Sequence, residues 1–230
     1  MGVERNGKEK PVRKRKSDRA GSSYAEKALV IGLTGGIATG KTTVARMFKD
    51  LGAKVLSADE VVHRMLQPGS DVWRRVVREF GESVLDESGN VDRGRLADIV
   101  FRDPDKRSRL EAIMHPPVLE SLDIEAKRFR KSGEGVLILE IPLLVETSCL
   151  YLVDKVLVVT AEQDTQIKRL EKRYGISSED ASLRIASQLP MSEKLRHADW
   201  VVSTEGTFGS TKAQVRKVWR AIQKSLARAG

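Results

Sequence analysis

The chain has 230 residues, of which 40% are hydrophobic and 32% charged, and carries a formal net charge of +9. That is the size of one ordinary domain with a sizeable core, and no apolar run approaches the roughly 18 residues that a membrane span requires. The opening residues are not those of an apolar signal segment, and the single Cys149 excludes an internal disulfide, so an unanchored cytoplasmic protein is expected.

Residues 1–27 hold nine Lys/Arg and four Asp/Glu, or +5 of the total, and almost no apolar residues. They read as a disordered basic tail, either a polyanion or localisation arm or a solvated appendage. From 28 onward, short β-rich runs alternate with longer helical patterns, which predicts an α/β fold on a parallel sheet. Strands are expected at 28–33, 53–57, 136–141, 154–160 and 199–203. Each is almost continuously apolar, as strands covered on both faces are. A helix-like run at 43–51 follows the first strand.

About eighty residues separate the second and third strands, where a crossover needs only about a dozen. The stretch reads as helices at 59–66, 70–80, 93–101, 105–114 and 118–131, with breaks at Asp103-Pro104 and His115-Pro116-Pro117. Such an insert either holds a bulky second substrate or embellishes the structure; the polar residues around it favour the first. A closing helix at 208–227 carries an apolar stripe through Val215, Val218, Trp219 and Ile222. The expected organisation is a core of 28–59, 135–162 and 198–230, a helical insert at 60–134 and a lid at 163–197.

The most informative string is Gly35-Gly36-Ile37-Ala38-Thr39-Gly40-Lys41-Thr42, with Thr43 after it. It fits G-x-x-x-x-G-K-[ST] at every fixed position and lies between a strand and a helix, as the phosphate-cradling loop must. The glycines let the backbone approach a polyphosphate, and the amides of 36–42 and the helix dipole then face it. Lys41 reaches the outer phosphates and Thr42 offers a hydroxyl to magnesium. ATP and Mg2+ are thus the expected cofactors.

In an open parallel sheet, ligands bind beyond the carboxyl ends of the strands. Asp59 follows the second strand and Glu140 ends the third. A carboxylate there takes the proton of an attacking hydroxyl or holds magnesium directly or through water. Asp59 also suits a helix N-cap. After the fourth strand, Lys168, Arg169, Lys172 and Arg173 share one helical face opposite Ile167, Leu170 and Tyr174, and Arg184 and Gln188 repeat the spacing. That run is either a solvated face or a lid whose arginines neutralise a moving phosphoryl group.

The chain resembles the dephospho-coenzyme A kinase family from about Ala28 to Ile222. The resemblance rests on Leu33 to Thr42, Ala58-Asp59, Val100-Phe101, Leu110 to Pro116, Pro142-Leu143-Leu144-Val145-Glu146, Gln166-Ile167-Lys168-Arg169-Leu170, Arg173, Arg184-Ile185, Gln188 and Ala198-Asp199. It implies a P-loop kinase that moves the ATP γ-phosphate to the ribose 3′-hydroxyl of dephospho-coenzyme A, with magnesium. It implies catalytic roles for Lys41, Asp59, Arg169 and Arg173, and contacts to the acceptor from Asp59, His115, Pro116, Leu143 and Glu146. His115 reads equally as a structural helix-terminal histidine. The family often has Asp-Ala-Asp where Ser57-Ala58-Asp59 stands, and an Asn-containing turn where Ser203-Thr204-Glu205-Gly206 stands.

Three rivals are weaker. Another small-metabolite kinase would share the loop with a different acceptor. A GTPase-like switch finds only Asp86-Glu87-Ser88-Gly89, away from any strand end, and no N-K-x-D. A nucleic-acid-binding role would rest on the tail, and none is expected for the core.

Overall fold

The computed structural model describes residues 27–228. The expected basic tail lies outside the described residues, apart from Lys27, which opens the first strand. Strands β1 (Lys27–Gly35), β2 (Lys54–Ser57), β3 (Glu134–Glu140), β4 (Lys155–Thr160) and β5 (Trp200–Ser203) form one sheet in the order β2-β3-β1-β4-β5, with every neighbouring pair parallel. All five expected strands are present. The order steps to one side of β1 and later to the other, which opens a crevice at the carboxyl ends of the central strands.

Successive residues face opposite sides of the sheet. Val30, Leu137, Leu139, Val156 and Val158 enter one buried cluster, while Ile31, Leu33, Val136, Ile138 and Leu157 enter the other. Both faces are covered, hence the unbroken apolar runs. Helices α1 (Lys41–Asp50) and α9 (Phe208–Arg228) cover the second face, and the expected stripe Val215, Val218 and Ile222 is buried there. The first face is covered by the helices between β2 and β3: α2 (Ala58–Met65), α3 (Asp71–Phe80), α4 (Arg93–Arg102) and α5 (Pro104–Ser132). Helices α6 (Gln163–Tyr174), α7 (Ser178–Ala186) and α8 (Met191–Leu195) connect β4 to β5. The side chains of Ser70, Asp92, Asp103 and Ser177 accept the first free amides of their helices, so these starts follow from the sequence. No helix among the described residues is long and apolar enough to cross a membrane.

One expectation is corrected. The helices expected at 105–114 and 118–131 are one helix of 29 residues, with Pro116 and Pro117 inside it. His115 is therefore mid-helix and not helix-terminal. The prolines leave the carbonyls of Ala112 and Ile113 without their helical donors. Burial outweighs that loss. Met114, Val118, Leu122, Ala126 and Phe129 form one buried stripe that runs straight across the prolines. Burying such side chains contributes roughly 1.5–3 kcal/mol apiece, against about 3 kcal/mol for an interior proline. Asp86 to Gly89, expected between the helices of the insert and away from any strand end, form a turn closed by the Leu85–Val91 bridge. The Asp86 carboxylate accepts the amides of Ser88 and Asn90, so turn chemistry accounts for this D-x-x-G.

Pro116 is exposed. Replacing it with alanine restores a donor to Ala112 and is expected to raise stability by about 1–2 kcal/mol, less the entropy that proline removes from the unfolded chain. The urea midpoint measures it; a fall would show that the kink itself is needed for packing.

Candidate active site

Leu33 of β1, Glu140 of β3 and Ser57 of β2 are register partners, so these three strands end at one level. Just past that level come the glycine loop, the Glu140 side chain and Asp59 at the start of α2. On the other side Gly35 pairs with Val159 and Thr160 with Ser203, which sets Thr204 against the loop.

The loop tolerates no side chain at Gly35, where a Cβ would lie 2.2 Å from the Val159 carbonyl oxygen. Gly40, at φ 86°, makes the left-handed turn into α1. Lys41 Nζ turns back to donate to the carbonyls of Gly36 (2.7 Å) and Gly35 (3.2 Å). Thr39 Oγ1 donates to Gly36 as well, at 2.9 Å. The Ile37 amide, expected among the phosphate donors, instead donates to Gln188 Oε1 at 2.8 Å. Gln188 lies beyond the end of α7 and reaches the loop, where sequence spacing had paired it with Arg184.

Arg169, expected beside the moving phosphate, lines the cavity above the loop and also grips the backbone. Its Nη1 donates to the Ala38 carbonyl (3.0 Å) and Thr204 Oγ1 (2.9 Å), and its Nη2 to the Thr204 carbonyl (2.9 Å). Thr204 Oγ1 in turn donates to the Thr39 carbonyl at 2.8 Å. Arg173 is exposed and lines the cavity above the loop. Its guanidinium lies 5.2 Å from the Tyr174 ring, which Arg184 approaches at 5.6 Å. Tyr174 is 51% exposed, so the buried stripe of α6 ends at Leu170 and does not include Tyr174. A ring that closes the helix beside two cations stays in water.

The two carboxylates have different surroundings. Glu140 is 5% exposed and accepts a hydrogen bond from Thr42 Oγ1 at 2.8 Å. Burial pushes its carboxyl up from the ordinary value, and the Thr42 hydroxyl and the Lys41 charge pull it back. Asp59 is exposed and faces the cavity. The N-cap of α2 is Ser57, whose hydroxyl accepts the Asp59 amide at 3.3 Å, so the Asp59 side chain is not spent on capping. The cavity measures about 590 Å³ and runs from Asp59, Glu140, Thr42 and Thr43 to Thr207 and Phe208.

His115, Pro116, Leu143 and Glu146 do not line it. Glu146 is ion-paired with Lys194, which is 1% exposed and also donates to the Pro142 carbonyl at 3.4 Å. Lys194 and Thr204 went unseen in the sequence. Their partners lie 48 and 165 residues away, and no local pattern marks either one.

The lysine and threonine that end the loop open into one cavity with two carboxylates at a sheet's switch point, which defines a kinase of the P-loop class. Residues 29–209 match the family model described as Dephospho-CoA kinase, and the chain belongs to that family. It is 42% identical over 199 residues to the dephospho-CoA kinase of Geobacillus kaustophilus, covering 85% of this chain and 99% of that one. The dephospho-CoA kinase of Symbiobacterium thermophilum is 43% identical over 192 residues, covering 84% and 80%. Among solved structures, one from Thermus thermophilus superposes with a TM-score of 0.71 at 32% identity, over 84% of this chain and 97% of that one. The dephospho-CoA kinase of Campylobacter jejuni gives 0.60 at 25% identity, over 85% and 98%.

Two outcomes follow from the geometry. Arg169→Ala removes three hydrogen bonds and is expected to cost about 2 kcal/mol of stability along with ATP affinity. Arg173→Ala should leave the melting temperature alone and lower turnover; thermal melts beside steady-state rates separate the two arginines. The second outcome concerns pH. Loss of water on burial holds the Lys41 ammonium at about 8, below its ordinary 10.5; Glu140 opposes that shift and Lys194 adds to it. The unfolded chain keeps this proton up to its ordinary value, so between the two values the group makes nucleotide-free stability rise with pH. Phosphate binding needs the charged form, so ADP affinity is expected to fall above pH 8, approaching tenfold per unit. Calorimetric titration of ADP across that range checks it, and Lys41→Met should flatten the slope.

Proposed function

We propose that the protein transfers the γ-phosphoryl group of ATP to the ribose 3′-hydroxyl of dephospho-coenzyme A, giving coenzyme A and ADP in the last step of coenzyme A synthesis. The observation that carries this reading is Asp59: an uncapped, solvent-open carboxylate at the rim of the loop's own cavity. The amides of 38–42 and the N-terminus of α1 take the ATP phosphates. Lys41 exchanges the carbonyls of Gly35 and Gly36 for phosphate oxygens. Arg173 neutralises charge from the cavity wall, while Arg169 keeps the loop in shape. Closure of 163–197 over the nucleotide excludes water, so the γ-phosphoryl group meets the acceptor hydroxyl and not a hydroxide. Asp59 orients that hydroxyl and accepts its proton late, since the transition state is loose.

The residues fit magnesium. Thr42 Oγ1 and Glu140 Oε1 are hard oxygens 2.8 Å apart at the phosphate end of the cavity. Among the described residues no cluster of three or more His, Cys, Asp or Glu forms a dedicated cage. Magnesium takes few protein ligands and completes its shell with water and phosphate. Thr42 would hold it directly, with Glu140 and Asp59 acting through water. When bound, the ion supplies charge neutralisation at the phosphates.

The test is magnesium-dependent ADP release with dephospho-coenzyme A, adenosine, AMP and shikimate as acceptors. Dephospho-coenzyme A should dominate, and Asp59→Asn should cut its turnover by about 10²–10⁴ with an unchanged melting temperature. No acceptor-dependent release, or an Asp59→Asn enzyme of near-normal turnover, would overturn the reading.

A further inference from the structure

At Asp59 the nucleotide cavity meets a second one, of about 500 Å³, whose walls include Glu60, His63, Arg64 and Arg93. His63 and Arg93 also line a third, together with Gln67, Asp86 and Asn90. The three are thus linked through shared residues into a groove that leaves Asp59 along α2 and reaches the 85–91 turn. The sequence builds it simply. Asp59 and His63 recur at four-residue spacing on one face of α2, with Arg64 beside them, and Gln67 follows just past the helix end. Asp92 caps α4 by accepting the amides of Gly94 and Arg95, which fixes Arg93 at the helix start and turns it into the groove.

Both guanidiniums are exposed, and neither is ion-paired among the described residues. Arg75, Arg78 and Arg102 of the same insert have no ion-pair partner among the described residues either, but of these arginines Arg64 and Arg93 are the two that line this cavity; Arg95, Arg107 and Arg109 are paired with Asp92, Glu111 and Glu79. Two forked donors left open in one cavity match a dianionic ligand with several oxygens on adjacent atoms. The acceptor has that feature at a fixed place, since its diphosphate joins the reacting nucleoside to a long amide-bearing arm. Both arginines share one cavity with Asp59, the residue proposed to receive the ribose hydroxyl.

We infer that Arg64 and Arg93 clamp the diphosphate of the acceptor and set the enzyme's preference for it over bare nucleosides. This rests on the function proposed above. Neither arginine takes part in holding ATP, and neither lines the loop's cavity.

The experiment compares Arg64→Gln, Arg93→Gln and the double variant with wild type in the ADP-release assay. KM for dephospho-coenzyme A at saturating ATP and KM for ATP are measured separately. Calorimetric titration with dephospho-coenzyme A and with adenosine supplies binding without turnover. Each single variant is expected to raise the acceptor KM roughly tenfold or more, the double variant further, as lost charge-assisted bonds should. KM for ATP and adenosine affinity should stay within about twofold of wild type, with the melting temperature unchanged. Arg93→Lys, which keeps charge but loses the fork, should recover part of the affinity. Acceptor KM values near wild type in both single variants would overturn the clamp while leaving the kinase reading intact. So would an equal rise in the KM for ATP. A wild-type protein that does not phosphorylate dephospho-coenzyme A removes the kinase reading, and the clamp with it.

Discussion

Amides converging on one centre, with a desolvated ammonium beside them, repel each other unless something answers their charge. In this protein that constraint governs the loop between β1 and α1, and side chains remote in sequence meet it. Lys41 folds back on two carbonyls of its own loop, Gln188 takes the Ile37 amide, and Arg169 with Thr204 ties down Ala38 and Thr39. The segment between β4 and β5 is therefore scaffold for the loop. A phosphate arriving there finds a site already shaped, with the lysine's bonds to exchange and the rest to keep.

The division between Glu140 and Asp59 follows from where their strands end. Glu140 closes a central strand, is buried, and is satisfied by a hydroxyl that also belongs to the loop. Asp59 opens a helix on the sheet's edge side and stays in water. One carboxylate is thereby suited to a fixed electrostatic task and the other to meeting a mobile substrate group. Lys194 and Glu146 sit behind this pair as a buried couple that holds the turn after β3 to α8.

Much of the fold was legible because its signals are local. Unbroken apolar runs marked the strands, Ser and Asp caps marked helix starts, and the glycine string with its lysine marked the loop. The Pro116-Pro117 pair misled because a local rule was overruled by a buried stripe that only tertiary packing supplies. Tyr174 misled in the other direction: its spacing continued the stripe of Ile167 and Leu170, yet it stays half exposed beside Arg173 and Arg184. Within the site, residues with fixed motif positions were visible. Gln188, Thr204 and Lys194 took their meaning from contacts across 151, 165 and 48 residues, which no spacing encodes. Arg64 and Arg93 were hidden for another reason: the insert holds many arginines, and only the fold brings these two into one cavity with Asp59.

Helix α5 ties the molecule together in a way that bears on how it comes apart. Its first half lies among α2, α3 and α4, and its second half is buried against β1 and β3. Residues from both regions, such as Val61, Val76 and Leu96 on one side and Val30, Leu139 and Val158 on the other, belong to a single apolar cluster. The inserted helices thus have no hydrophobic interior of their own. They and the sheet form one cooperative unit, with no molten half left standing when the other is lost.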